Sequence, residues 1–312
     1  MNVRAAVVQA GSVVFDRAGT LAKLERLAGE AARAGAQLIV FPEAFVSGYP
    51  MGLDFGAVVG NRTPEGREQF RLYYESAVDV PGPDTDRLQA LAGELNVHLV
   101  VGIVERDGGT LYCSVIYLAP GRYLGKHRKV MPTAAERLVW GFGDGSTLDV
   151  YDTDVGRIGA VICWENYMPM LRMTMYSKGI QIYCSPTADS RETWLPTVRH
   201  IALEGRCFVL STCQVLRGAD FPPALPNRLG DTPDSILMRG GACIVSPLGK
   251  LLAGPAWDEE TILCADLDLD EIPRAKYDFD VVGHYARPDI FRLSVDETQR
   301  RPVTRTESTG TP

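Results

Sequence analysis

Apolar runs of strand length alternate with amphipathic helical patterns from the first residues of this 312-residue chain. Residues 3–8 predict a strand, and residues 20–34 carry leucine and alanine at helical spacing. Two strands, 97–105 and 110–119, flank Asp107-Gly108-Gly109, which indicates a hairpin. Further strands are predicted at 37–41, 157–162, 180–185, 207–213, 242–246 and 261–267, and further helices at 65–77, 84–95, 169–178 and 191–205. Strands joined partly by hairpins and partly across helices predict an α/β fold of mixed sheets covered by helices.

The composition favours one globular domain. Hydrophobic residues make up 46% of the chain and charged residues 23%, which provides ample material for a core. No linker interrupts residues 1–295, so we predict a single domain there. The remaining residues, 296–312, are mostly polar, and we predict that they form a disordered tail.

The charge balance and the apolar segments limit the classes of partner. A formal net charge of -7 argues against nucleic acid and anionic membranes as main partners. No apolar stretch approaches the roughly 20 residues that a membrane helix needs. The first residues carry one positive charge and lead directly into an apolar strand, unlike a signal peptide. We therefore expect a cytoplasmic protein without a membrane segment.

The cysteine pattern indicates reduced thiols in the core. The seven cysteines are scattered, form no C-x-x-C pair and lie mostly in apolar runs typical of strands. The four histidines are far apart, and none has metal-ligand spacing with a cysteine. We therefore predict neither a disulfide framework nor a metal site.

Cys163 differs from the other cysteines in the residues on its C-terminal side. It ends the apolar run 157–162 and opens Cys163-Trp-Glu-Asn-Tyr167, which is too polar and bulky to continue a buried strand. A thiol at such a turn can reach a pocket at the edge of a sheet, and the next main-chain N–H is a ready oxyanion donor. The alternative is a buried structural thiol. Cys184 also ends an apolar strand but has less polar chemistry around it.

Two carboxylates and a lysine could assist that thiol. Glu43 lies in an apolar run, where burial is costly without a partner and raises the pKa of the carboxyl towards that of a general base. Lys129 ends a basic run just before apolar residues; near Cys163 its charge would lower the pKa of the thiol and stabilise an anionic intermediate. Glu136 could orient this lysine. Each of the three could instead face water, and spacing alone does not bring them together.

At these residues the chain resembles the nitrilase branch of the carbon–nitrogen hydrolase superfamily. The segments that carry the resemblance are Phe41-Pro-Glu-Ala-Phe45 with Gly48-Tyr-Pro50, Arg128-Lys-Val-Met-Pro-Thr133 with Glu136-Arg137, and Cys163-Trp-Glu-Asn166. The match runs from about residue 3 to 293 in the family's order. It implies a four-layer α-β-β-α sandwich of two mixed sheets. It also implies homo-oligomers, either dimers or larger assemblies that are often spirals.

The resemblance implies a role for each candidate in the hydrolysis of a nitrile to a carboxylic acid and ammonia. Glu43 would be the general base, Lys129 the cation, Cys163 the nucleophile and Glu136 the supporting carboxylate. The reaction would pass through a thioimidate and a thioester and need no cofactor. Two alternatives stay open: an amidase or amide-forming enzyme on the same site, and a catalytically silent binding protein.

Aromatic and apolar residues near the motifs are candidates for binding a small-molecule nitrile. They suit a substrate with a hydrophobic or aryl body. Ordinary core packing is the alternative, above all for Tyr167 and Trp194. The sequence leaves open whether the nitrile is aliphatic, arylacetic, aromatic or a cyano-amino acid. The predicted substrate-binding residues are Tyr49, Trp164, Tyr167, Trp194 and Pro196.

Overall fold

The computed structural model of this chain describes residues 1–301 and 303, apart from 224, 226 and 231. Within these residues two large sheets pack face to face, and helices cover the outer face of each. This α-β-β-α order of layers confirms the predicted fold class.

The first sheet combines parallel and antiparallel strands. Its strands are β1 (Asn2–Gln9), β2 (Leu38–Val40), β5 (Val78–Asp79), β6 (His98–Asp107), β7 (Thr110–Ala119), β8 (Arg122–Arg128) and β17 (Thr261–Asp268). They follow the order β17-β1-β2-β6-β7-β8, with β5 beside β6. Strands β1, β2 and β6 are parallel, whereas β17, β7 and β8 pair antiparallel with their neighbours.

The second sheet has a parallel centre and antiparallel edges. Its strands are β9 (Tyr151–Thr153), β10 (Gly156–Ala160), β11 (Ile182–Thr187), β12 (Phe208–Cys213), β15 (Cys243–Val245) and β16 (Leu251–Ala253). Their order is β16-β15-β12-β11-β10-β9, and β10, β11 and β12 are parallel. Two small hairpins lie outside the sheets and consist of β3 (Ala57–Val58) with β4 (Asn61–Arg62) and β13 (Val215–Arg217) with β14 (Ile236–Arg239).

The helices cover the sheets as the apolar pattern predicts. They are α1 (Arg17–Arg33), α2 (Pro64–Ser76), α3 (Pro83–Leu95), α4 (Pro169–Ser177), α5 (Trp194–Gly205) and α6 (Glu271–Ala275). Helices α1 and α3 pack on the first sheet, and α4 and α5 on the second. Helix α1 begins before the predicted residue 20, because the Asp16 carboxylate accepts a hydrogen bond from the Gly19 N–H at 2.9 Å.

The main core lies between the two sheets. Along β1, Val3, Ala5 and Val7 point into this space, while Ala6 and Val8 pack under the outer helices. This alternation is the period of two that a strand imposes on its side chains.

Strand β8 is absent from the strands that the sequence predicts. It pairs with β7 at the edge of the first sheet, and most of its side chains are half-buried or exposed. Because an edge strand needs few apolar side chains, hydrophobic periodicity gives little signal for it. This strand brings the chain to Lys129, which follows its last residue.

The C-terminal segment follows the surface where it is described. Glu297 pairs with Lys178 at 2.7 Å, and the Arg300 N–H donates to Asp144 Oδ2 at 2.7 Å. Residues 302 and 304–312 of the predicted tail lie outside the described residues. The disorder of the tail and the single domain over 1–295 stay predictions. Among the described residues, no helix is long and apolar enough to span a bilayer.

A glycine lets the segment that carries Glu43 lie against β6. The Phe41 N–H donates to the Val100 carbonyl at 2.8 Å, and the Val46 N–H donates to the Gly102 carbonyl at 3.1 Å. A Cβ atom added at Gly102 would lie 2.0 Å from the main-chain oxygen of Pro42. Since a backbone atom cannot rotate away, any larger residue must displace the segment around Glu43.

We predict that Gly102→Ala lowers the free energy of unfolding by about 1–3 kcal/mol, the usual cost of overpacking. The matched control is Gly109→Ala in the hairpin, where an added Cβ has no heavy atom within 4 Å. That variant should stay within about 0.5 kcal/mol of the unsubstituted protein. Urea unfolding of both variants measures the difference, and equal values would contradict the close approach.

Candidate active site

The structure brings together the four residues proposed for chemistry. Glu43 follows β2, Lys129 follows β8 and Cys163 follows β10. Glu136 lies in a 3-10 turn, Ala134–Leu138. All four are buried, and they meet at one end of the two sheets.

The ammonium group of Lys129 lies between two carboxylates. Its Nζ donates to Glu43 Oε1 and to Glu136 Oε2, both at 2.7 Å, and its side chain has no exposed surface. Burial alone would lower the pKa of Lys129, but the negative charges around it, Glu43 above all, raise the pKa well above its usual value. Lys129 therefore remains a fixed positive charge in a site shielded from water.

Glu136 is held by several donors besides Lys129. The Thr133 N–H donates to Glu136 Oε2 at 2.6 Å, and the Tyr49 hydroxyl donates to Oε1 at 2.6 Å. Burial and the charge of Glu136 raise the pKa of Tyr49 well above its usual value, so its hydroxyl stays a donor. The structure thus places Tyr49, a predicted substrate-binding residue, among the groups that hold the lysine's second carboxylate.

Glu43 has two oxygens in different surroundings. Oε1 accepts from Lys129, whereas Oε2 is buried and has no hydrogen-bond partner among the described residues. Burial raises the pKa of Glu43 above the ordinary 4.5; Lys129 opposes this rise and Glu136 adds to it. A carboxylate with a raised pKa and a free oxygen is suited to accept a proton.

Cys163 lies at a strained turn. Its φ is +52°, in the left-handed region, and it opens a 3-10 turn, Cys163–Tyr167. The Thr187 hydroxyl donates to its Sγ at 3.3 Å, and Asn166 Nδ2 donates to its carbonyl at 2.7 Å. Burial first and Glu43 second raise the pKa of the Cys163 thiol, although Lys129 lowers it in part. The group at rest is therefore a thiol, which needs a base to become a nucleophile.

A buried carboxylate whose role sequence reasoning missed, Glu165, joins two parts of the site. Glu165 Oε2 accepts from the Ile162 N–H at 2.8 Å and from His127 Nε2 at 3.0 Å. Its Oε1 accepts from the Val130 N–H at 2.5 Å. One carboxylate thus connects the residue before Cys163 with the residue after Lys129. An acidic residue inside the turn after a candidate nucleophile was the signal that could have revealed it.

The remaining predicted substrate residues lie in the turn that Cys163 opens and on α5. The rings of Trp164 and Tyr167 are 5.7 Å apart, and both residues are partly exposed. Trp194 packs in the core under α5, where its Nε1 donates to Ser211 Oγ at 2.9 Å, and its ring contacts Tyr167. Pro196 is exposed on α5. Binding of substrate by these residues stays a prediction.

A cavity of about 320 Å³ lies beside the carboxylate cluster. Tyr49 and Glu136 form part of its wall, and apolar side chains such as Met51, Leu53 and Phe55 line the rest. A larger hollow of about 680 Å³ shares Phe55 with it. The cluster therefore borders a mainly apolar space that can hold the body of a small molecule.

Comparisons with known proteins match nearly the whole chain. A model of the carbon-nitrogen hydrolase family matches residues 4–277. An aliphatic nitrilase of Sinorhizobium fredii (strain HH103) is 59% identical over 300 residues, which cover 96% of this chain and 97% of the relative. A bifunctional nitrilase/nitrile hydratase of Lupinus angustifolius is 57% identical over 314 residues, covering 98% of this chain and 90% of the relative. A carbon-nitrogen hydrolase of Helicobacter pylori G27 shares the fold, with a TM-score of 0.73, 22% identity, and coverage of 93% and 97%.

We predict that Glu165→Ala lowers the free energy of unfolding by about 3–5 kcal/mol, because it leaves His127 and two buried N–H groups without their acceptor. Thermal and urea unfolding measure this loss. The control is Glu297→Ala, which removes a half-exposed carboxylate from its pair with Lys178. That change should cost at most about 1 kcal/mol. Equal losses in the two variants would show that Glu165 does not hold the site together.

Proposed function

The chain belongs to the carbon–nitrogen hydrolase family, and from this premise we propose that it is a nitrilase. It would hydrolyse an organic nitrile to the carboxylic acid and ammonia. The observation that carries the proposal is the buried cluster of Glu43, Lys129 and Glu136 beside the thiol of Cys163. The activities for which the relatives are named, nitrilase and nitrilase/nitrile hydratase, support the same function.

The first half-reaction forms a covalent thioimidate. Glu43 accepts the proton of Cys163 Sγ, and the sulfur attacks the nitrile carbon while the C≡N bond opens to C=N. The proton held by Glu43 passes to the nitrogen. The raised pKa of Glu43 favours this step, because a carboxylate of ordinary pKa holds a thiol proton less well.

The second half-reaction consumes two waters. Glu43 takes a proton from the first water as its oxygen adds to the thioimidate carbon. Glu43 returns this proton to the nitrogen, and the proton of the added hydroxyl passes to the nitrogen as well. The C–N bond then breaks, ammonia leaves, and the carbonyl of a thioester forms. A second water, activated in the same way, adds to the thioester and releases the carboxylic acid together with the Cys163 thiol. The complete reaction converts one nitrile and two waters into one carboxylic acid and one ammonia, and it needs no cofactor.

Fixed donors stabilise the charge that develops in these steps. Lys129 is held as a cation between its two carboxylates, so it can face a negative atom without moving. The main-chain N–H of Trp164 follows the nucleophile and has no hydrogen-bond partner within the described part of the chain. Donors of this kind typically contribute about 3–4 kcal/mol each to lowering a barrier.

An amide-forming outcome is the second candidate function. If the tetrahedral intermediate expels Cys163 Sγ in place of ammonia, the product is the amide and only one water is consumed. The Lupinus angustifolius relative, which is named as both a nitrilase and a nitrile hydratase, favours this possibility. The same residues carry both outcomes, so only the products distinguish them.

We also propose that the chain forms homo-oligomers. Met170 on α4 and Leu203 on α5 are 66% and 41% exposed. Covering these apolar side chains with a second copy would remove them from water. The cytoplasmic location stays a prediction from the sequence.

We predict that Cys163→Ala abolishes turnover of nitriles, because it removes the only atom proposed to bond the substrate. Acid, amide and ammonia would be measured together over aliphatic, aryl and arylacetic nitriles and the matching amides. Cys184→Ala, which removes the second candidate thiol from the core, should keep the activity. Normal turnover by folded Cys163→Ala protein would reject the mechanism. Turnover of amides alone would favour an amidase, and no turnover by the unsubstituted protein would favour a silent binding protein.

The acid limb of the pH profile should report Glu43. Because its pKa lies above 4.5, the base gains its proton at a higher pH than an exposed glutamate does. We therefore expect kcat/KM to fall as the pH drops through this raised pKa and to be level just above it. Glu43→Gln should lower kcat/KM by about 10²- to 10⁴-fold and remove the limb. Glu297→Gln, at an exposed site, should reproduce the original profile; the same limb in Glu43→Gln would assign it to another group.

A further inference from the structure

We infer that Cys113 is a positioning residue for the general base Glu43. Its thiol donates to Glu43 Oε1 and thereby leaves Oε2 as the oxygen that receives the proton of Cys163. This inference rests on the proposed function and adds a second thiol, with a different task, to the same site.

Cys113 contacts two of the three charged members of the cluster, Glu43 and Lys129. It lies in the middle of β7 with 1% of its surface exposed, and its Sγ is 3.5 Å from Glu43 Oε1. Its carbonyl accepts a hydrogen bond from the Lys129 N–H at 2.8 Å. One residue of the first sheet therefore fixes the carboxylate of Glu43 and the backbone of Lys129 together.

The donors to Glu43 are distributed unequally between its two oxygens. Lys129 Nζ and Cys113 Sγ both donate to Oε1, while the buried Oε2 meets no donor at hydrogen-bond geometry in the described part of the chain. The Cys163 thiol nevertheless lies close enough to the carboxylate to lower the pKa of Glu43. A buried oxygen without a donor costs free energy, so such an arrangement calls for a reason. Proton transfer supplies one, because an oxygen that accepts no hydrogen bond is the better proton acceptor. Fixing Oε1 from two sides also prevents the carboxylate from rotating.

The chemistry of Cys113 suits a donor. Burial first and the charge of Glu43 second raise the pKa of the Cys113 thiol well above its usual value. It therefore keeps its proton and donates it in a hydrogen bond. Cys184 shows the contrast: it is equally buried in the core between the sheets, but burial is the sole cause that raises the pKa of its thiol. Cys113 can therefore position a carboxylate through its thiol hydrogen bond, whereas the pKa of Cys184 reflects burial alone.

Removing the donor should change the basicity of Glu43. Without the S–H, the carboxylate form of Glu43 loses a stabilising contact and its pKa rises further. In Cys113→Ala we expect the acid limb of kcat to move up by roughly 0.5–1 pH unit. At pH values well below the pKa of Glu43, this shift lowers the fraction of deprotonated Glu43, so kcat should fall by about 3- to 10-fold. KM should change by less than about twofold. Cys113→Ser restores a donor and should return the limb towards its original position.

Two readouts test the inference, and one needs no nitrile. The first is the pH profile of nitrile turnover for the unsubstituted protein, Cys113→Ala, Cys113→Val, Cys113→Ser and the control Cys184→Ala. Valine also removes the donor but leaves no cavity, and thermal unfolding confirms that each variant is folded. The second is the rate of alkylation of Cys163 by iodoacetamide against pH, followed by mass spectrometry of the peptide that contains Cys163. This rate follows the transfer of the thiol proton to Glu43.

The inference predicts that the Ala and Val variants shift both profiles, that Ser shifts them less, and that Cys184→Ala leaves them in place. It is overturned if Cys113→Ala moves the limbs no more than Cys184→Ala, or if Ser behaves as Ala does; Cys113 would then be a packing residue. If the unsubstituted protein hydrolyses no nitrile, the proposed function fails, and the alkylation profiles alone decide the role of Cys113.

Discussion

The buried ammonium group of Lys129 is the feature on which the site depends. Taking a charged side chain out of water costs several kcal/mol, and only close, well-directed partners offset that cost. Glu43 and Glu136 provide them, each at 2.7 Å from the Lys129 ammonium nitrogen. The end of β2, the end of β8 and the 3-10 turn that bears Glu136 must therefore keep fixed relative positions. Each donor to the carboxylates, including Tyr49 and Thr133, adds to that constraint.

A second buried carboxylate links this cluster to the nucleophile. Glu165 binds the N–H groups of Ile162 and Val130, and so holds the turn of Cys163 against the strand that positions Lys129. The left-handed backbone of Cys163 is unfavourable for a residue other than glycine, and these hydrogen bonds offset its strain. The two carboxylate systems together leave the thiol little freedom, which is what a reaction needs when its geometry must be set before substrate arrives.

The electrostatic environment of the cluster gives chemically identical side chains different roles. Burial raises the pKa of both Glu43 and Cys163, so the thiol waits in its neutral form and the carboxylate gains affinity for protons. Lys129 keeps its charge because two carboxylates surround it. The difference between the two oxygens of Glu43 and between the thiols of Cys113 and Cys163 arises from the hydrogen-bond partners that each one meets. The environment of each group, and not its residue type, therefore sets its role.

The pattern of the sequence by itself determined most strands and helices and the candidates for chemistry, while the four layers were what the family resemblance implied. Periodicities of two and of 3.6 residues predicted most strands and helices, and the hairpin of β6 and β7 in particular, because burial on one face leaves a local pattern. Glu43 stood out since a carboxylate inside an apolar run calls for a partner. The structure alone decided which residues meet. Cys113 and Glu43 are 70 positions apart in the sequence, and Glu165 and His127 are 38 positions apart. Local sequence patterns contain no information about contacts over such separations. The charged edge strand β8 was hidden for a related reason: its pairing comes from backbone hydrogen bonds, which any side chain permits.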